Sequence, residues 1–312
     1  MSEGARTSSS TPSFVDLHIH GAFGVDVVTA SPEDLDRLSA GLAARGVAGF
    51  LPTLVPLPLP AMAGAVTRLS AWIRSRRPGD GRGAMPLGIH FEGPFVSAAR
   101  CGALHREDFL DGTDPRAMGA FFEIAGGAPG RGMTTLAPEI PGGIAVVREF
   151  VKRHFLVSIG HTEADAATLD AAFAAGARHM THFGNGMKPL HHRDIGPIGW
   201  GLTTDGVSVD VIADLQHLAP EMLRLVLKAK GESRVALISD AMPAAGLADG
   251  DYAVWGETLT VKNGAARNAA GALAGSTALL DDCVTRLVSI GVPEDAAHRM
   301  ASNVPQAVLS AS

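Results

Sequence analysis

The chain has 312 residues, 46% of them hydrophobic and 19% charged, enough for one large α/β domain with a substantial buried core. Its formal net charge of −6 and the lack of a long basic block argue against nucleic acid or an anionic membrane as a partner. Two cysteines, Cys101 and Cys283, are too few for a disulfide framework or a cysteine-rich zinc site, and they fit a reducing, cytoplasmic setting.

Residues 1–13 are rich in Ser and Thr and read as a disordered tail, leaving 14–312 as the folded unit. The most apolar run, 50–65, is broken by prolines, so no membrane span is expected. Eight candidate strands follow in order: Phe14–His20, Val47–Thr53, Leu87–Phe91, Thr134–Ala137, Phe155–Ile159, Ala177–Thr181, Val207–Ile212 and Arg234–Ser239. Helices are expected between most of them. Pro32–Ala44 has Ser31 as its N-cap and Leu35, Leu38 and Leu42 at helical spacing. Ala61–Arg76, Ile144–His154, Ala164–Ala175 and Pro220–Lys230 follow the same pattern. Gly176 and Gly231 suit the position just past a helix end. After the eighth strand, Asp251–Thr260 and the turn Lys262-Asn263-Gly264 suggest a β-hairpin insertion. Two helices, Ser276–Ile290 and Pro293–Leu309, are expected to close the chain.

Strict β/α alternation implies a parallel sheet, and eight repeats imply a (β/α)8 barrel. The competing doubly wound sheet calls for a glycine-rich phosphate loop after an early strand, and this sequence has none. In a barrel, chemistry gathers at the carboxyl ends of the strands. His18 and His20, two residues apart, share one side of the first strand. Glu92 ends the third strand, His161 the fifth, His182 the sixth and Asp240 the eighth. Few arrangements other than a metal site use histidines and carboxylates at five strand ends, because imidazole and carboxylate both ligate divalent cations.

Each residue also has a plainer explanation. Asp240 could be a helix N-cap, and Arg193 an ordinary surface charge. His90 reads as packing beneath a ligand, and His191 and His192 as a solvated loop.

The set resembles the amidohydrolase superfamily, and within it the N-acetylglucosamine-6-phosphate deacetylases. The segments that carry the likeness are Asp16–Gly21, Gly88–Phe95, Gly160–Thr162, Thr181–Met187, His191–Asp194, Ile212–His217, Ser239–Ala241 and Leu273–Ser276. The resemblance implies a divalent metal, zinc or iron, on Glu92, His161 and His182. A second ion would sit on His18 and His20, with Glu92 between the two. It implies Asp240 as general base and then acid. It places an amino-sugar phosphate against Ala103, Leu104, Asn185, Gly186, His217, Leu273, Ala274 and Gly275. It also implies a homodimer in which Arg193 reaches the neighbouring subunit's site. Three departures stand out. The family's flanking β-sandwich is not found in this sequence. Gly184 and Gly186 replace larger residues near the sugar. Leu104 occupies the position of a histidine that aids the oxyanion, leaving His105, one place on, as the candidate replacement. The resemblance implies hydrolysis of the acetamide of N-acetylglucosamine 6-phosphate. The alternatives are hydrolysis of another N-acyl sugar or amide, and a metal-binding barrel without catalysis.

Overall fold

A computed structural model of the chain describes residues 13–311. Except for Ser13, the tail expected at 1–13 lies outside them. Eight of the nine parallel strands of the central sheet make up the barrel: β1 Phe14–Ile19, β2 Val47–Leu54, β3 His90–Glu92, β4 Met133–Leu136, β5 Leu156–Ile159, β6 His179–Met180, β7 Ser208–Ile212 and β8 Val235–Ile238. They pair in chain order from β1 to β8. The last strand then returns to the first. Asp240 N–H donates to the His18 carbonyl at 3.0 Å, and His20 N–H donates to the Ala241 carbonyl at 2.9 Å. The Asp16 carboxylate crosses the same seam, accepting the Ser239 N–H at 3.1 Å and the Ser239 hydroxyl. Burial lifts the Asp16 carboxyl to about 6 despite those bonds. The result is a nearly closed (β/α)8 barrel.

The helices follow from local chemistry. α1 Pro32–Ala44 begins with a reciprocal cap: Asp34 N–H donates to Ser31 Oγ at 3.1 Å, and Ser31 N–H donates to the Asp34 carboxylate at 3.2 Å. Its buried face is Leu35, Leu38 and Leu42, each contributing about 1.5–3 kcal/mol by leaving water. α2 Leu59–Ser75 packs between barrel and solvent. α3 Pro115–Ala125 was not expected, although Asp114 caps it and Pro115 suits its first turn. It packs Phe121 and Phe122 against Phe95 and Phe150. α4 Gly143–Lys152, α5 Ala166–Ala174, α6 Gly196–Thr203 and α7 Pro220–Lys230 complete the outer layer before β8.

α6 also went unforeseen, because Gly196, Gly199 and Gly201 lower its helix propensity. Packing explains the glycine at 201. A Cβ there would fall 2.5 Å from the Phe183 ring and 2.6 Å from the Met180 sulfur, so the helix can approach the barrel only without one.

Beyond β8 the expected hairpin is present as β9 Gly250–Val254 and β10 Glu257–Lys262. Two further strands, β11 Ala265–Arg267 and β12 Leu273–Ser276, extend it into a four-stranded antiparallel sheet with its own apolar cluster around Leu259, Val261 and Ala266. Ser276 is therefore strand, and the closing helix α8 starts later, at Leu280–Ser289. The last expected helix is split into α9 Glu294–Ala301 and α10 Asn303–Ser310. Pro305 explains the break, since its ring would collide with the Ala301 carbonyl in a continuous helix.

A smaller core joins Val15, Leu17, Leu51, Met133, Leu156 and Ile238 of the strands to Val304, Val308 and Leu309 of α10. Among the described residues, no helix is long and apolar enough to cross a membrane.

Candidate metal centre

Six imidazoles and carboxylates, His18 among them, converge at the carboxyl rim. His20 lies one residue past β1, Glu92 is the last residue of β3, and His161, His182 and Asp240 each lie two residues past their strands. His161, His182 and Asp240 all have positive φ, at 46°, 30° and 49°. Such backbone is uncommon for side chains with a Cβ and costs energy that local contacts must offset. Here it turns each side chain from its strand onto the barrel axis.

The Glu92 carboxylate is the hub. One oxygen lies 3.1 Å from His161 Nε2, 3.0 Å from His182 Nε2 and 3.5 Å from His18 Nε2. The other oxygen lies 3.2 Å from His20 Nε2. His18 and His20 Nε2 are 3.2 Å apart, as are His161 and His182 Nε2. Two triads share Glu92: His18, His20 and Glu92, and Glu92, His161 and His182. Asp240 lies 3.2 Å from His20 Nε2 and 3.4 Å from His18 Nε2. His90 sits below, bonded to Thr135 at 2.8 Å and edge-on to His18, and burial holds its pKa well below the ordinary value. It is a packing residue.

The donor set fits divalent metal. His161 Nδ1 faces the Arg100 carbonyl at 2.7 Å, His20 Nδ1 the Thr53 carbonyl at 3.2 Å and His182 Nδ1 the Asn185 carbonyl at 3.2 Å. A carbonyl can only accept, so each Nδ1 carries the proton and each neutral Nε2 turns a lone pair inward. Lone pairs converging around a carboxylate call for a cation. Protons fill that need when no ion does. Burial opposes charge on His20, but bonds to Asp240 and Glu92 raise it to about 10. His182 rises to about 9 against the same burial, through Glu92. Asp210 steadies His182 by accepting its backbone N–H while also bonding His179 at 2.8 Å.

A cavity of about 230 Å³ opens above this floor. Of the residues expected to meet a substrate, Ala103, Leu104, Asn185, Gly186, His217, Leu273 and Gly275 line it. Gly186 needs its missing side chain, because a Cβ there would lie 3.0 Å from His161 Nδ1. Asp214 fixes His217 by accepting from its Nδ1 at 2.8 Å and its N–H at 2.9 Å.

Three expected residues are elsewhere. Ala274 is buried in the small sheet. Arg193 is exposed on the 188–195 loop beside His192, outside the cavity wall of its own chain. His105 is turned to the surface, 3.3 Å from Glu107, and is not part of the wall. The expectation that it replaces the oxyanion histidine is corrected: the 3-10 turn Arg106–Asp108 that it precedes carries it outward. Asp240 caps no helix; its N–H closes the barrel seam.

Val55 and Trp255 also line the cavity and were missed. Val55 follows the end of β2, a position the strand-end rule would have flagged. Trp255 sits in a turn of the small sheet, with no signal in the sequence that the sheet folds over the site.

No family model matches the chain. It is 39% identical to N-acetylglucosamine-6-phosphate deacetylase of Bacillus subtilis (strain 168), over 85% of this chain and 66% of that protein. It is 36% identical to N-acetylgalactosamine-6-phosphate deacetylase of Escherichia coli O157:H7, over 96% of this chain and 77% of that protein. The chain thus spans about two thirds to three quarters of these relatives' length. Among solved structures, a mutant N-acetyl-D-glucosamine-6-phosphate deacetylase from Mycobacterium smegmatis, in complex with N-acetyl-D-glucosamine-6-phosphate, superposes with a TM-score of 0.87. That match has 32% identity and covers 96% of this chain and 77% of that one. The Thermotoga maritima enzyme superposes at 0.85, with 32% identity, 96% of this chain and 78% of that chain covered.

Proposed function

The chain belongs to the N-acetylglucosamine-6-phosphate deacetylase family, and from that premise we propose that it hydrolyses the acetamide of N-acetylglucosamine 6-phosphate to glucosamine 6-phosphate and acetate. The observation that carries the reading is Glu92 shared between two histidine pairs, with Asp240 beside them. A divalent metal held there, zinc or iron, supplies a Lewis acid for a carbonyl oxygen and lowers the pKa of coordinated water towards about 7. Glu92, His161 and His182 would hold one ion, and His18 and His20 with Glu92 a second.

Asp240 is the proton carrier. Burial raises its pKa, but the neighbouring imidazoles, with the bond from His20, more than offset this and hold it below the ordinary carboxylate value, so it is a carboxylate at neutral pH. It accepts a proton from the attacking water and delivers it to the amide nitrogen as the C–N bond breaks. One carboxylate serves both transfers because water and leaving amine meet it in turn at one place.

Ala103, Leu104, Asn185, Gly186, Leu273 and Gly275 would shape the sugar's surroundings. His217 would meet polar groups of the substrate with its ring held by Asp214. Arg193 lies outside its own cavity, which supports a homodimer in which it serves the partner's site as a rigid fork for phosphate. Residues 14–312 would make up the barrel unit. Both cysteines are free, which supports a cytoplasmic location.

The test is acetate release from N-acetylglucosamine 6-phosphate by purified protein loaded with zinc or iron. Turnover is expected, and its absence with either metal overturns the reading. A second reading has specific support. One relative is named for the galactosamine epimer, so the same assay on N-acetylgalactosamine 6-phosphate ranks the two sugars.

A further inference from the structure

Trp255 touches the metal centre although it comes from outside the barrel. It occupies the two-residue turn between β9 and β10, where Val254 pairs with Glu257. Trp255 and Gly256 have φ of 52° and 82°, a turn that favours Asn-Gly. A bulky side chain at positive φ is a genuine outlier, and such strain persists where the side chain is needed. The ring is packed against the metal centre. It meets the His20 ring edge-on, with centroids 5.2 Å apart. Its indole nitrogen is shielded from water and has no hydrogen-bond partner among the described residues.

The cavity is chemically divided. Beside His20 its wall carries the Trp255 ring, and beside His182 it carries the amide of Asn185. The reacting carbonyl has to sit by Asp240 and the imidazoles. From there the hydroxyl-rich sugar matches the polar side, and the acyl substituent matches the apolar side. We propose that Trp255 is the specificity-determining residue for the acyl group, closing the His20 side so that acetyl fits and longer chains do not. This rests on the hydrolase reading above.

The test compares acetyl and propionyl amides of glucosamine 6-phosphate. In such a pocket one methylene is worth about 10–200-fold in kcat/KM. The unaltered protein should favour acetyl by at least about tenfold. Trp255→Asn, which keeps a residue tolerant of positive φ, should reduce that preference to within about threefold, short of the tenfold that one methylene marks. Trp255→Phe should retain most of it. An unchanged acetyl preference in Trp255→Asn, or an equal loss with both substrates, overturns the proposal. A protein that hydrolyses neither amide overturns the hydrolase reading instead. In that case binding of acetate and butyrate to the metal-loaded protein still decides the role of Trp255. Trp255→Asn should raise butyrate affinity relative to acetate, and an unchanged ratio contradicts the assignment.

Discussion

The floor of the cavity and its walls are built on different principles. The floor is made of strand ends. His18, His20, Glu92, His161, His182 and Asp240 are all buried, and backbone carbonyls or neighbouring carboxylates fix their rings and N–H groups. The walls come from loops and from the small sheet after β8: Gly102 to Leu104, Asn185 and Gly186, Trp255, and Ala272 to Gly275. The floor sets which reaction is possible. The walls set which molecule reaches it.

The largest effect is expected at the hub. Glu92→Gln removes the charge that both histidine pairs share. Metal content should fall to near zero for both ions, and acetate release should disappear with it. Full metal content in this variant would mean that Glu92 is no hub. Asp240→Asn should cost about 10²–10⁴-fold in kcat, the usual weight of a proton carrier, while elemental analysis finds the metal still bound. A loss of metal equal to that of the Glu92 variant would move Asp240 from proton carrier to ligand.

The contrast between the regions also describes how legible the sequence was. Each floor residue could be read because it ends a strand, and strand ends are marked by an apolar run followed by a polar residue. The barrel was legible for the same reason, since eight such runs alternate with helices. The walls were not. Trp255 reaches His20 only because β9 to β12 fold back over the rim, and sequence spacing carries no trace of that packing. His105 looked suitable by type and position, yet a 3-10 turn carries it outward. α6 was hidden by glycines that low propensity disfavours and tight packing requires.

On the wall, Arg193→Ala should raise KM for the phosphorylated substrate by about tenfold or more, as a lost charged hydrogen bond would, with kcat little changed. Equal effects on a substrate without phosphate would contradict its assigned partner.

The floor should also show a pH response. In metal-stripped protein, His20 at about 10 and His182 at about 9 stay protonated above the ordinary 6.5. Raised folded values bind extra protons, so their stabilisation is complete below about pH 6.5 and is lost as pH rises through 9 to 10. Thermal melts at pH 6, 8 and 10 should show this decline, and bound metal, which displaces those protons, should flatten it. A metal-stripped protein that gains stability over the same interval would contradict the arrangement.

The smallest effect is expected for His105→Ala. Steady-state rates should stay within about twofold, well below the weight of an oxyanion donor.

The central claim is that Glu92 gathers two histidine pairs around cation positions. Crystals soaked in zinc, with anomalous difference density collected at the zinc edge, test it most directly. The account predicts strong density about 2 Å from the Nε2 atoms of His161 and His182, with Glu92 as the shared neighbour of any second peak at His18 and His20. Density elsewhere, with these side chains bare, would contradict it.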